Sequence, residues 1–97
     1  ATLTFSPAVA ADFRRVSEHL SQHDVQNAAV RISQIMSAAK ILEHSPLVGR
    51  PVRGSLRELV VGKGAEGYVL LYRYAEQIDE VFILAVRSQR ELGYSTP

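Results

Sequence analysis

The chain has 97 residues, a length that suits one domain with its own hydrophobic core. It contains no cysteine, which excludes a disulfide framework, a thiolate metal site and a cysteine nucleophile. Eleven basic and ten acidic residues leave a net charge of +1, whereas broad nucleic-acid binding usually needs a strong basic excess. No apolar run suits a membrane span and no signal peptide is recognisable, so we expect a single cytoplasmic domain over residues 1–97.

The start of the chain predicts a strand followed by a helix. Residues 2–6 alternate between polar and apolar side chains, which is typical of a short strand. Ser6 and Pro7 are a good helix start, because a hydroxyl can cap the first turn and proline fits inside it. Apolar residues then recur three and four positions apart to about Gln22, and we place Asp12 on the solvent side of this helix.

A second helix is expected from Asp24, which can cap it, to about His44. The turn between the two helices is short, so they should pack as an antiparallel hairpin. Ser45–Pro46 ends the second helix, because the residue before a proline disfavours the helical conformation. The connector that follows contains glycine and proline, and we expect turns rather than regular structure in it.

The second half of the chain predicts three strands at Leu56–Val61, Tyr68–Ala75 and Glu80–Val86. Short loops join them, so they should form an antiparallel meander. The expected fold is therefore α+β: an N-terminal strand, a helical hairpin and a three-stranded meander in one small sheet, with the helices on one face. The glycine-rich loop 62–67 runs from strand to strand, which favours a hairpin loop over a phosphate-binding loop.

Both faces of the last two strands are apolar in sequence. On the first of these strands, one face has Tyr68, Leu70, Tyr72 and Tyr74 and the other has Val69 and Leu71. On the second, Phe82, Leu84 and Val86 alternate with Val81, Ile83 and Ala85. Two helices can cover only one face of a small sheet. An apolar second face indicates a protein partner, unless the sheet curls and the C-terminal tail covers it.

Candidate functional residues are arginines and tyrosines rather than a metal or catalytic cluster. The three histidines are scattered and no nucleophile elbow is present, so we expect no metal site and no cofactor. An arginine and tyrosine set can stabilise the transition state of RNA cleavage without metal, and it can equally form a protein-binding hot spot. The set comprises Arg50, Arg53, Arg57, Arg73, Arg87, Arg90, Tyr68 and Tyr94.

The segments SPLVGRPVRGSLRELVVGKGAEGYVLLYRY and VFILAVRSQRELGY resemble the RelE/ParE superfamily of type II toxin–antitoxin toxins. The shared features are Pro46 with Gly49-Arg50, Leu56-Arg57, Gly67-Tyr68 with Leu70 and Tyr72, and the basic segment 87–94. With the first strand and the hairpin, the resemblance covers nearly the whole chain. It implies a toxin neutralised by an antitoxin encoded beside it, which wraps the toxin with a helix or an extended segment.

The superfamily has a branch that cleaves mRNA on the ribosome and a branch that inhibits DNA gyrase by binding. The strand around Arg57 lacks the lysines of the nuclease branch, Val69 follows Tyr68 where that branch has arginine, and Ser88 stands where many relatives have histidine. We therefore expect a ParE-like gyrase inhibitor that is not an enzyme, with a ParD-like antitoxin through which the complex binds operator DNA. The alternatives are a metal-independent endoribonuclease and a non-toxic relative that only binds its antitoxin.

These expectations assign residues to three roles. The target-binding set is Arg50, Arg53, Arg57, Arg87, Arg90 and Tyr94. The antitoxin-binding set is Leu70, Tyr72, Tyr74, Phe82 and Leu84. If the protein is a nuclease, the catalytic set is Arg87, Arg90 and Tyr94.

Overall fold

A computed structural model describes residues 1–23, 28–62 and 67–88 of the chain. Two helices and five strands are connected by turns and by one short 3₁₀ turn. The elements are β1 (Thr2–Phe5), α1 (Pro7–His23), α2 (Ala28–Ile41), β2 (Arg50–Arg53), β3 (Leu56–Val61), β4 (Tyr68–Ala75), the 3₁₀ turn (Glu76–Ile78) and β5 (Glu80–Ser88). The predicted cap Asp24 and most of the glycine-rich loop 62–67 lie outside the described residues.

The strands form one sheet in the order β1-β5-β4-β3-β2. β3, β4 and β5 are the antiparallel meander, and β1 joins the edge of β5 in parallel. The α+β prediction is thus confirmed, but the sheet has five strands because the connector contributes β2. β2 is only four residues long and includes Pro51 and an irregular register, so no alternating pattern marked it as a strand.

The core lies between the helices and one face of the sheet. Val9, Val16 and Leu20 of α1 pack with residues of α2 and of the meander. Eight residues of the core cluster have no exposed surface at all, among them Ile35 of α2, Tyr72 of β4 and Ile83 of β5.

The C-terminal ends of α2 and β5 differ from the prediction. α2 ends at Ile41, and the N–H groups of Leu42, Glu43 and His44 each bond the carbonyl three residues earlier instead of four. Such tightened last turns satisfy helix-end carbonyls. β5 continues to Ser88, two residues beyond the predicted end.

A register shift between β4 and β5 changes which side chains face the helices. Leu71 pairs with Ala85 and Tyr72 pairs with Ile83, so Leu84 is an extra residue on β5. A bulge of this kind interrupts strict alternation. Val86 is therefore fully buried with the helix-facing residues, and its prediction on the same face as Phe82 was wrong.

Candidate interaction surfaces

The sheet face turned away from the helices, which we call the open face, combines arginines with apolar side chains. Residues that are paired across neighbouring strands share a face, so the strand register shows which side chains lie on it. Its members on β2 to β5 are Arg50, Arg53, Leu56, Glu58, Val60, Val69, Leu71, Arg73, Phe82, Ala85 and Arg87. Val60 is 47 % exposed, and Leu56, Leu71, Phe82 and Ala85 are partly exposed, so the face presents apolar surface to solvent.

The arginines of the open face are held in different ways. Arg50 forms an ion pair with Glu58, whose side chain is buried while that of Arg50 remains 66 % exposed. Arg73 lies over the ring of its cross-strand neighbour Phe82, with the guanidinium carbon 5.1 Å from the ring centroid. Arg53 is exposed, and no ion pair or hydrogen bond of its side chain is found within the described residues.

Arg57 belongs to the helix side of the sheet and fixes the connector. Its guanidinium donates to the carbonyl oxygens of Leu47 and Gly49, at 3.1 and 2.7 Å. These two bonds use the donors of the guanidinium that face the connector. The structure therefore gives Arg57 a role in folding, whatever part it takes in binding a target.

The Tyr72 hydroxyl completes this arrangement, which we call the connector clamp (Tyr72, Gly49, Pro46 and Arg57). The hydroxyl accepts from the Gly49 N–H and donates to the Pro46 carbonyl, both at 2.8 Å. Burial raises the pKa of Tyr72, against the opposing effects of the Gly49 N–H and the Arg57 charge. A Cβ at Gly49 would lie 2.5 Å from the hydroxyl oxygen, so only glycine fits there without displacement.

Asp12 of α1 anchors the part of β5 that extends beyond β1. Its carboxylate accepts from the Val86 N–H at 3.0 Å and pairs with Arg87 and Arg15. Arg15 also donates to the Val86 carbonyl, at 3.2 Å. Side chains of α1 thus satisfy the backbone of β5 where β1 has ended, and we call this group the carboxylate anchor (Asp12, Arg15, Val86 and Arg87).

The prediction of Asp12 as a solvent-facing residue was wrong, because the residue is only 6 % exposed. Burial alone would raise its pKa, but the Val86 N–H, Arg87 and Arg15 together hold the pKa below its ordinary value near 3.8. The sequence spacing could have indicated this burial. Asp12 lies three residues after Val9 and four before Val16, and both valines are buried on the same side of α1.

The predicted antitoxin-binding residues divide into two groups. Leu70 and Tyr72 have no exposed surface and belong to the core. Tyr74, Phe82 and Leu84 are partly exposed. The Tyr74 hydroxyl donates to the Asp79 carboxylate at 2.7 Å, and this hydrogen bond, with burial and the charges of Asp79 and Glu76, raises the Tyr74 pKa.

The structure brings only part of the predicted target-binding set together. Arg50 and Arg53 lie on β2, whereas Arg87 lies on β5, with β3 and β4 between them. Three strand spacings amount to about 14 Å. Arg90 and Tyr94, which complete both the target-binding and the catalytic sets, lie outside the described residues. Tyr68 is in the core cluster, 7 % exposed.

A second exposed apolar surface runs along the outer side of α2. Val30 and Ile41 are 55 % and 51 % exposed. Small and polar side chains between them form a shallow groove. The groove is lined by Ala29, Val30, Ser33, Gln34, Ser37, Ala38 and Ile41.

No group of three or more His, Asp or Glu residues that could hold a metal ion occurs among residues 1–23, 28–62 and 67–88. Of the helices in the described part of the chain, neither α1 nor α2 is long and apolar enough to cross a membrane.

The fold is that of a small α+β protein with a helical layer on one face of its sheet and an arginine-rich second face. A family model described as the ParE toxin of the type II toxin–antitoxin system, parDE, matches residues 3–93. The chain therefore belongs to the ParE toxin family, which confirms the resemblance to the RelE/ParE superfamily.

Several solved structures are similar to this chain, and two of them come from toxin–antitoxin systems. A chain of the chromosomal ParDE toxin–antitoxin system from P. aeruginosa is 20 % identical with a TM-score of 0.74, over 90 % of this chain and 94 % of that one. A chain of the toxin–antitoxin complex RelBE2 from Mycobacterium tuberculosis is 26 % identical with a TM-score of 0.57, over 90 % of this chain and 95 % of that one. A search of curated proteins gave no match.

Proposed function

We propose that the protein is a toxin that inhibits DNA gyrase by binding to it and that a cognate antitoxin holds it inactive. The observation that carries this proposal is the layout of the open face. Arginines of β2 and β4 lie on it with partly exposed apolar side chains between them, while Arg87 of β5 pairs with Asp12 of α1. Arginine and apolar groups side by side are the composition of protein-binding surfaces.

RNA cleavage requires a different arrangement of charged side chains. Cations that stabilise a phosphorane transition state must converge on one phosphate, beside a group that moves protons. Among the described residues, Arg57 bonds backbone carbonyls, Arg87 pairs with Asp12, and the Tyr72 hydroxyl is held inside the connector clamp. Arg57 and the Tyr72 hydroxyl are thus engaged in the fold rather than directed at a phosphate. Arg87, the one described member of the catalytic set, is paired with Asp12 but remains 39 % exposed and able to contact a protein, which supports a binding function.

The target-binding set of the proposal is unchanged from the sequence. Arg50 and Arg53 present exposed charge on β2, and Arg87 is partly exposed on β5. Arg57 orders the part of the connector that precedes β2. Arg90 and Tyr94, the remaining members of the set, lie outside the described residues.

The antitoxin is proposed to cover the open face and so to compete with the target. Phe82 on the open face and the partly exposed Leu84 near it supply accessible apolar contacts. Tyr74 belongs to the helix-facing side of β4, where its partly exposed ring is proposed as a further contact, and Leu70 and Tyr72 support these strands from the core. A ParD-like antitoxin would also carry the complex to operator DNA. The similarity to chains from toxin–antitoxin complexes supports a partner of this kind.

A supercoiling assay with purified gyrase tests the proposal. Toxin should block supercoiling, prior addition of antitoxin should restore it, and Arg53→Glu should weaken the block. Arg14→Glu is the matched control, since Arg14 is an exposed arginine of α1 outside the proposed target-binding set. Undiminished supercoiling at a large molar excess of folded toxin would contradict the proposal.

The alternative of an mRNA endonuclease is supported by the likeness to a chain of the RelBE2 complex. Primer extension on translated mRNA separates the two functions. New 5′ ends that appear only with active toxin would establish cleavage, whereas gyrase inhibition predicts none. Expression without any growth defect would instead indicate a relative that only binds its antitoxin.

A further inference from the structure

The outer edge of β1 is the side of this strand that faces away from β5. Thr2 N–H donates to the Asp79 carbonyl at 3.1 Å, and Ser6 N–H donates to the Ile83 carbonyl at 3.0 Å. Backbone groups alternate in direction along a strand that pairs on one side. The N–H and carbonyl groups of Leu3 and Phe5 therefore point outward.

These outward groups have no backbone partner within the described residues, and β1 is the last strand on its side of the sheet. The strand contains neither charge nor proline, and its pairing with β5 is regular over all four residues. Phe5 is 40 % exposed beside this edge. Unprotected edges of this kind are templates for pairing with another chain.

The opposite edge of the sheet is protected. β2 contains Pro51, which offers no N–H, and its register is interrupted between Pro51 and Arg53. Proline, irregular register and charge are the devices by which proteins prevent strand addition. Since β2 carries all of them and β1 carries none, strand addition is expected at β1.

The chemistry next to β1 indicates what kind of segment fits. The acidic turn (Glu76, Asp79 and Glu80) adjoins its first residue, because the Asp79 carbonyl accepts from Thr2. The Asp79 side chain is 66 % exposed and lies 3.7 Å from the Ala1 ammonium, Glu80 accepts from the Thr4 hydroxyl at 2.6 Å, and Glu76 is exposed. An added strand would meet carboxylates at the Thr2 end and an aromatic ring at the Phe5 end.

We propose that the outer edge of β1 is a strand-addition site for an extended segment of the antitoxin. The segment carries a lysine or arginine beside the acidic turn and an aliphatic side chain against Phe5. This inference rests on the proposed antitoxin partner. Phe82 of the open face pairs with Thr4, so a segment that crosses the open face over β5 continues directly onto β1.

The antitoxin is a better occupant than a second copy of this chain. Two copies of β1 paired antiparallel about Thr4 would exchange bonds only through Leu3 and Phe5 of each strand. Such a pairing would bring the neutral segment Ser6-Pro7-Ala8 next to the Thr2 end and would add no positive charge to that of the Ala1 ammonium, which lies 3.7 Å from Asp79. The charge next to β1 therefore favours a basic segment of another protein.

Amide hydrogen exchange of the full toxin, alone and in complex with the antitoxin encoded beside it, tests the site. The Leu3 and Phe5 amides should exchange more slowly in the complex. Phe5→Pro removes the outward N–H, and Phe5→Ala removes the same ring but keeps the N–H. Phe5→Pro should bind antitoxin about 3- to 10-fold more weakly than Phe5→Ala, as the loss of one hydrogen bond predicts.

A second pair of variants tests the charge next to β1. Glu76→Gln should weaken antitoxin binding by up to about fivefold at low salt and less at high salt, as an exposed ion pair would. Glu18→Gln, an exposed acid on α1, is the control and should bind as the unchanged toxin does.

The outcomes separate this inference from the proposed function. A complex that forms with unchanged exchange at Leu3 and Phe5, or equal affinities for Phe5→Pro and Phe5→Ala, overturns strand addition alone. Protection of the same amides in toxin alone that grows with its concentration overturns it in favour of a second copy. Absence of any complex with folded toxin overturns the antitoxin partner as well.

Discussion

The connector clamp and the carboxylate anchor both attach a segment to the meander, but with different chemistry. The clamp holds the connector with a neutral hydroxyl, two backbone groups and the guanidinium of Arg57. The anchor holds β5 to α1 through the ionised carboxylate of Asp12, which receives a backbone N–H and two arginines. One attachment depends on shape and the other on charge.

This difference predicts different responses to pH. Burial raises the pKa of Tyr72, so the clamp keeps its hydroxyl throughout the acidic and neutral range. The pKa of Asp12 is lowered, since its partners outweigh the effect of burial. The anchor therefore stabilises the fold fully above the unfolded pKa of about 3.9, and this stabilisation is lost as pH falls through the lower folded pKa.

The largest effect is expected for Gly49→Ala, which tests the shape of the clamp. The new methyl group would lie 2.5 Å from the Tyr72 hydroxyl oxygen and 2.8 Å from the Glu58 carbonyl oxygen. Both neighbours are in fixed parts of the sheet, so we expect a loss of about 3 kcal/mol in the free energy of unfolding. Urea denaturation followed by circular dichroism measures this.

Gly54→Ala is the control for that substitution. Gly54 has a positive φ of 54°, but a Cβ there would meet nothing within 4 Å. Its loss should be about 1 kcal/mol, from the backbone conformation alone. Equal losses for the two variants would show that the close approach at Gly49 has little weight.

Tyr72→Phe tests the hydrogen bonds of the clamp while leaving the ring in the core. The Gly49 N–H and the Pro46 carbonyl would each lose a partner at 2.8 Å. We expect a loss of about 2 kcal/mol, nearly constant from pH 3 to pH 7 because the hydroxyl stays neutral there. A loss that varies strongly across this range would contradict a neutral clamp.

Asp12→Asn tests the charge of the anchor and should cost about 1–2 kcal/mol at pH 7, since the amide oxygen can still accept from Val86. The unchanged protein should lose this advantage as pH falls below about 4, so the two stability curves should converge in acid. Denaturation midpoints between pH 2 and pH 7 measure the convergence. Parallel curves would show that the Asp12 charge does not contribute.

Much of the fold could be predicted because its signals are local. The bounds of β3 and β4 follow from apolar runs between turn residues, and both agree with the structure. β2, the bulge at Leu84 and the burial of Asp12 depend on contacts between distant segments. Arg57 and Arg87 could be recognised as candidate residues, but their partners, connector carbonyls and an α1 carboxylate, appear only once the chain is folded.

The smallest effects on stability are expected for substitutions of the β2 arginines, which are not part of the connector clamp. Arg53→Gln should change the free energy of unfolding by less than about 0.5 kcal/mol, as substitutions at exposed sites usually do. Arg50→Gln should cost up to about 1 kcal/mol, because it removes a partner of buried Glu58 from an ion pair that is largely open to solvent on the arginine side. Both variants should nevertheless weaken gyrase inhibition if the open face meets the target. Thermal unfolding and supercoiling assays on the same samples separate the two effects, and a loss of inhibition that follows stability alone would remove both arginines from the target-binding set.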